Sequence, residues 1–178
     1  DGLQDPATHD PASGTWRVAL SGSGYQEQVA QFGVAGDVPI PADYDGDDKA
    51  DLALFRPSNG LWGVKQSSNG ELFTIPYGTA ADVPVPGDYD GDGRANVAIY
   101  RPASGEWWIL DQARRAPTIH VWGRPGDIPV PADYDGDFLI DPAVYRPSTR
   151  TWHIRGSRDG ITSLEWGTPG DLPMPADY

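Results

Sequence analysis

The phrase Asp-Tyr-Asp-Gly-Asp begins at Asp43, Asp88 and Asp133, so the chain restates itself every 45 residues. Another 44 residues on, Asp177-Tyr178 opens the phrase again, and Asp1-Gly2 supplies the rest of it. A period of ~40–50 residues belongs to solenoids, propellers and arrays, because each copy is one small unit that cannot bury its apolar face alone. A repeat divided between head and tail further predicts a ring in which the two ends complete one unit.

One copy predicts four short strands. Val38-Pro39-Ile40-Pro41-Ala42 is extended and leads into the acidic phrase. Asp51-Leu52-Ala53-Leu54-Phe55-Arg56 alternates as a second strand, with Leu52 and Leu54 on one face and Ala53 and Phe55 on the other. Pro57-Ser58-Asn59-Gly60 and Ser67-Ser68-Asn69-Gly70 have turn composition, and they bracket a third strand over residues 61–65. Residues 71–77 make the fourth. Four short strands per ~45 residues, separated by turn signals, is the pattern of a β-propeller blade, and nothing carries a helical period.

The prolines place the first strand. They recur two apart at Pro39/Pro41, Pro84/Pro86, Pro129/Pro131 and Pro173/Pro175. Amides at i and i+2 point to one side of a strand, and proline has none to offer, so that side must face no neighbour. Each first strand is therefore predicted at a sheet edge, with alternate residues such as Val83 and Val85 bonding its single partner. A second strand over residues 5–9 and a first strand over 172–176 would then join as a fourth blade. The expected fold is all-β, a single domain over 1–178: a β-propeller of four four-stranded blades. The blades are approximately 1–36 plus 171–178, 37–81, 82–126 and 127–170. The alternative is two chains closing head to tail into an eight-bladed ring.

Each loop after the first strand sets acids at positions 1, 3, 5 and 9. The sets are Asp43, Asp45, Asp47 and Asp51; then Asp88, Asp90, Asp92 and Asn96; then Asp133, Asp135, Asp137 and Asp141. Glycine at position 4 (Gly46, Gly91, Gly136) eases a tight bend. Alternate acids on a curling loop converge, and the backbone carbonyls of Lys49, Arg94 and Leu139 at position 7 can join them. Oxygen donors on a flexible loop suit Ca²⁺ at six to eight coordination better than Mg²⁺, and the loops lack the His and Cys that zinc prefers. About three sites are expected. A fourth, from Asp177, Asp1 and Asp5, is short by two residues and lacks the acid at position 5.

This Asp-x-Asp-Gly-Asp-x-x-x-Asp loop resembles that of FG-GAP/VCBS-type repeats, the units of integrin α-subunit propellers and of many secreted bacterial propellers. The aromatic-glycine pair of that family is matched by Phe32-Gly33, Tyr77-Gly78, Trp122-Gly123 and Trp166-Gly167. The resemblance spans nearly the whole chain and implies Ca²⁺ in the hairpin between first and second strands. The first copy departs from the pattern, with its shortened loop and with Asp10 where the others carry Arg56, Arg101 and Arg146.

Composition narrows function. Thirteen Lys+Arg against 26 Asp+Glu leave a formal net charge of −13, which repels nucleic acid and anionic membrane surfaces. No apolar run reaches the ~20 residues of a membrane span. With no cysteine, disulfides play no part. Trp16, Trp62, Trp107 and Trp152 recur at the start of the third strand and are expected in the core; a stacking platform for sugar rings is the sharper alternative. Trp108 and His153 fall on the opposite strand face and are the better candidates for exposure. The arginines are expected to bridge neighbouring blades or bond loop carbonyls. His9, His120 and His153 occupy different repeat positions, so no catalytic site is expected. The sequence thus predicts a calcium-stabilised, non-catalytic binding or display module, secreted or at a bacterial cell surface, monomeric or a head-to-tail homodimer. A glycan or protein ligand, a lectin activity, a structural spacer, a designed chain and an accessory part of a larger enzyme stay open as alternatives.

Overall fold

The computed structural model describes residues 4–111 and 116–176. It divides into two compact units, Asp1–Ala80 and Ala81–Tyr178. Both are all-β: the described residues contain no α-helix, only a three-residue 3-10 turn at Ser21–Ser23, and no helix long and apolar enough to cross a membrane.

The first unit holds two antiparallel sheets. One has three strands in the order β1 (Ala7–Asp10), β2 (Thr15–Leu20), β3 (Gln26–Gln31). The other has four, β4 (Val38–Pro39), β5 (Leu52–Arg56), β6 (Leu61–Lys65) and β7 (Leu72–Pro76). The second unit holds two four-stranded sheets. These are β8 (Val83–Pro84), β9 (Ala98–Arg101), β10 (Glu106–Asp111), β11 (Ala116–Val121), and β12 (Ile128–Pro129), β13 (Ala143–Arg146), β14 (Thr151–Gly156), β15 (Gly160–Glu165).

As the proline pairs predict, β4, β8 and β12 are all edge strands. The amides of Ile40, Val85 and Val130, between the two prolines of each pair, donate to the carbonyls of Ala53, Ala98 and Ala143 at 2.8–2.9 Å. Those alanines are wholly buried, because the second strand of each four-stranded sheet is covered on both faces. Toward the fourth strand burial falls away, and every residue of β15 is exposed.

The aromatic-glycine pair has a local cause. Gly60 takes a left-handed φ of 66° to close the turn after β5, and its carbonyl accepts the Tyr77 amide at 2.7 Å. A side chain on Gly60 would run into the Gly78 carbonyl, so the approach requires glycine. The same carbonyl receives Trp122 N at Gly105 and Phe32 N at Gly14.

Three of the four recurring tryptophans are core residues, and Trp152 is half-buried against the core of its sheet. Trp16, Trp62 and Trp107 are at most 3% exposed, and their indole N–H groups donate to the carbonyls of Phe32, Tyr77 and Trp122. Trp62, Trp107 and Trp152 each pack tilted against the aromatic opposite, Phe55, Tyr100 and Tyr145, at 5.2–5.7 Å between centroids. Trp108 and His153 are half-buried. Arg101 lies 4.8 Å over the Trp108 ring, and Ser163 Oγ is 2.9 Å from His153 Nδ1.

Two expectations need correction. Among the described residues, 172–176 form no strand, and the sheet of β1 has three strands where four were expected. The arginines, second, form their forked ion pairs within their own sheets rather than to loop carbonyls or a neighbouring blade. Arg56, Arg101 and Arg146 fork onto Asp37, Asp82 and Asp127 at the start of the same sheet. These carboxylates are nearly sealed from solvent, at 1–2% side-chain exposure, and a guanidinium fork supplies the two parallel donors such a group requires. The Arg56 hydrogen bonds hold the Asp37 carboxyl below its ordinary value. That contribution to stability is present above the ordinary carboxylate range and is lost as pH falls through the depressed folded value.

Candidate metal centres in the acidic loops

The position-1 aspartate organises each loop. In the first, Asp43 Oδ1 accepts the amides of Asp45, Gly46 and Asp47, and Oδ2 accepts that of Asp48. Asp88 and Asp133 bind their loops in the same way. Such bonding requires a chain that curls tightly. Gly46, Gly91 and Gly136 accordingly adopt left-handed φ of 74–79°, as does position 6, at Asp48, Gly93 and Phe138 (62–80°).

Three groups of carboxylates result: Asp43, Asp45 and Asp51; Asp88, Asp90 and Asp92; Asp133, Asp135 and Asp141. Within each group the ligand atoms lie within 4.8 Å of one another. The remaining candidates stand aside. Asp47 and Asp137 are held by the hydroxyls of Ser67 and Ser157 at 2.8 and 2.6 Å, which lower both carboxyl pKa values. Asn96 accepts the Tyr89 amide and turns its Nδ2 to Asp90. Lys49, Arg94 and Leu139 donate their amides to Asp47, Asp92 and Asp137, which places their peptide units inside the loop. Of the fourth set, Asp1 and Asp177 lie outside the described residues; Asp5 Oδ1 receives the amide and hydroxyl of Ser21.

Asp51 and Asp141 are the buried members, at 1% and 0% exposure. Each accepts two backbone amides: Tyr44 and Ser67 donate to Asp51, Tyr134 and Ser157 to Asp141. Burial nonetheless outweighs those bonds and raises both carboxyl pKa values, with Asp45 or Asp135 as a neighbouring like charge. A raised folded pKa means that the contribution is fully present below the ordinary carboxylate value and is lost as pH rises through the folded one. In chelator-treated buffer, Asp51→Asn is therefore expected to gain stability over the parent as pH rises from about 4 to 7. Urea unfolding across that range checks it; a difference that shrinks toward neutrality would contradict it.

Two contributors were not legible beforehand. The turn between third and fourth strands folds over the loop: Ser68 Oγ donates to Asp45 Oδ2, and the amides of Arg158 and Asp159 donate to Asp135 Oδ2. A serine five residues after the recurring tryptophan (Ser21, Ser67, Ser157) was the available signal. The position-2 tyrosines anchor the loop from beneath, their hydroxyls donating to the carbonyls of Ile40, Val85 and Val130.

One oxygen in each of two loops is left over. Asp45 Oδ1 and Asp135 Oδ1 are buried without a hydrogen-bond partner. A buried, unpaired carboxylate oxygen is costly, and a cation among the three carboxylates would satisfy it. The donor set, all oxygen, fits a hard cation. No protein-family model matches the chain, and no curated protein is similar to it.

Proposed function

We propose that this chain is a calcium-stabilised, non-catalytic binding or display module whose four sheets are the blades of a β-propeller, working outside the cell or on its surface. The observation that carries the reading is the convergence of three carboxylates in each of three loops, with a buried oxygen left unpaired in two of them. Asp43, Asp45 and Asp51, Asp88, Asp90 and Asp92, and Asp133, Asp135 and Asp141 would hold Ca²⁺, with the carbonyls of Lys49, Arg94 and Leu139 completing the shell. Without a cation these carboxylates repel at close range, so the ion serves structure: it joins the loop, the buried base of the second strand and the turn above it.

Extracellular modules bind Ca²⁺ with Kd near 10⁻⁴–10⁻³ M, so the tighter end at millimolar Ca²⁺ stabilises by about 1.5 kcal/mol per loop. Melting in chelator, then with Ca²⁺ or Mg²⁺ restored, tests this. A melting temperature that drops with chelator and recovers with Ca²⁺ more than with Mg²⁺ is the expected result. An unchanged melt sinks the reading. Calcium should also reverse the order of Asp51→Asn and the parent at neutral pH, since the variant gives up a charged ligand.

A further inference from the structure

We propose that the first unit binds a small aromatic carboxylate in a cavity over Gly63, its ring stacked on the Arg56 guanidinium and its carboxylate accepting from Arg56 Nη1. The site names a ligand for the binding module proposed above but not through calcium, since none of the grouped loop carboxylates lines it.

The residue after the recurring tryptophan is Arg17, Gly63, Trp108 and His153 in the four copies, so only β6 carries no side chain there. Glycine inside a strand marks a bulge, a bend or a place where something approaches the backbone closely. Gly63 pairs regularly with Leu54 on one side and Thr74 on the other, so it serves neither bulge nor bend. A cavity of about 170 Å³ opens over it, lined by Leu54, Leu61, Leu72, Thr74, Phe32 and Arg56, all within Asp1–Ala80. Pockets for drug-sized ligands hold ~300–1,000 Å³, so this one admits a single small ring system.

The β8–β11 sheet shows what fills the same place when the chain itself supplies it. Trp108 stands opposite Ile99 as Gly63 stands opposite Leu54, and Glu106 opposite Arg101 as Leu61 opposite Arg56. There the Arg101 guanidinium lies 4.8 Å over the Trp108 ring, and its Nη1 is 3.5 Å from Glu106 Oε2. The same oxygen accepts the indole N–H at 3.1 Å. One flat ring and one carboxylate thus join the guanidinium that forks onto Asp82.

The β4–β7 sheet lacks both groups and keeps the cation. Arg56 gives Nε and Nη2 to Asp37; its Nη1 has no partner among the described residues, and its side chain is 35% exposed. Leu61 brings no acid and Gly63 no ring. Phe32 fills only part of the gap, its Cζ 3.5 Å from where a Gly63 Cβ would stand. Its counterpart Trp122 is a full indole, with the N–H on the His153 carbonyl at 3.0 Å. A ligand that restores the arrangement carries a ring for cation–π stacking and a carboxylate for a charge-assisted hydrogen bond. Arg101, holding both Asp82 and Glu106, shows that one such guanidinium accommodates two carboxylates. Exposed Lys65, two residues on along the same face of β6, adds positive charge.

Ligand-observed NMR titration of the full chain with indole-2-carboxylate tests the site. Cyclohexanecarboxylate (charge without an aromatic ring) and indole (ring without charge) are the comparisons. The expected Kd is ~10⁻⁴–10⁻³ M for so small a ligand, with each comparison compound about tenfold weaker. Leu61→Glu offers Arg56 an internal carboxylate, as Glu106 does for Arg101, and should weaken indole-2-carboxylate about tenfold more than indole. Gly63→Trp fills the cavity and should abolish binding of both. Circular dichroism checks that each variant is folded, and Leu61→Glu, at a partly exposed position, decides alone if Gly63→Trp is not. The site is overturned by the absence of saturable binding up to about 10 mM, by equal binding of cyclohexanecarboxylate, or by folded variants that bind like the parent. No binding beside a calcium-dependent melt overturns this site alone. Binding in chelator beside an unchanged melt upholds it while the calcium reading fails.

Discussion

Trp107→Ala is expected to destabilise the unit Ala81–Tyr178 by about 3–5 kcal/mol, the usual cost of removing a large aromatic from a packed core. Trp107 is fully buried among Val85, Ala98, Tyr100, Ile109 and Val144. Its ring lies 5.2 Å from that of Tyr100, and its N–H reaches the Trp122 carbonyl at 2.7 Å. Alanine would remove the packing, the tilted ring contact and the hydrogen bond together, leaving a void that close-packed neighbours fill only in part. Its sequence neighbour is the control. Trp108 points to the other face, half-buried, with Arg101 over the ring and a hydrogen bond to Glu106. Trp108→Ala should cost no more than about 1 kcal/mol. Urea unfolding followed by far-ultraviolet circular dichroism measures both. Equal losses at 107 and 108 would refute the assignment of Trp107 to the core.

Arg146→Met is the second large effect, about 3–5 kcal/mol, because removing one partner of a buried pair strands the other. Asp127 is 2% exposed at its side chain, and Arg146 meets its two oxygens with Nε and Nη2 at 2.8 Å each. Methionine keeps much of the stem but takes away both guanidinium donors, leaving the carboxylate the Arg124 amide at 3.0 Å. Adding Asp127→Asn removes the stranded charge while keeping an acceptor for that amide. The double variant is therefore expected to regain at least half of the loss. A double variant as unstable as the sum of the singles would show that the two side chains act independently, against the geometry of the fork.

Both variants test features that the sequence disclosed unequally. The tryptophans were legible because each stands at one position of an alternating strand, and alternation by itself separates a buried from an exposed face. The edge strands were legible for a similar reason: proline lacks an amide, and that lack has only one consistent place in a sheet. The clasp was not. Asp37, Asp82 and Asp127 precede each first strand in the sequence as regularly as any acid in the loops. Their pairing across 19 residues depends on how two strands lie side by side.

The loops divide in the same manner. Spacing foretold that carboxylates would converge, and position 4 foretold where the chain bends. It did not foretell which acids meet. Asp47 and Asp137 are drawn off by serines about 20 residues away, while Asp51 and Asp141 come in from the buried base of the second strand.

The sequence by itself determined a fourfold repeat of short antiparallel strands with acid-rich bends, since period, proline placement and strand alternation are local constraints. Only the tertiary structure decided the partners: which acids gather, and which guanidinium seals which carboxylate. Those outcomes depend on contacts between residues far apart along the chain, where burial and hydrogen-bond geometry choose among neighbours that the local pattern leaves equivalent.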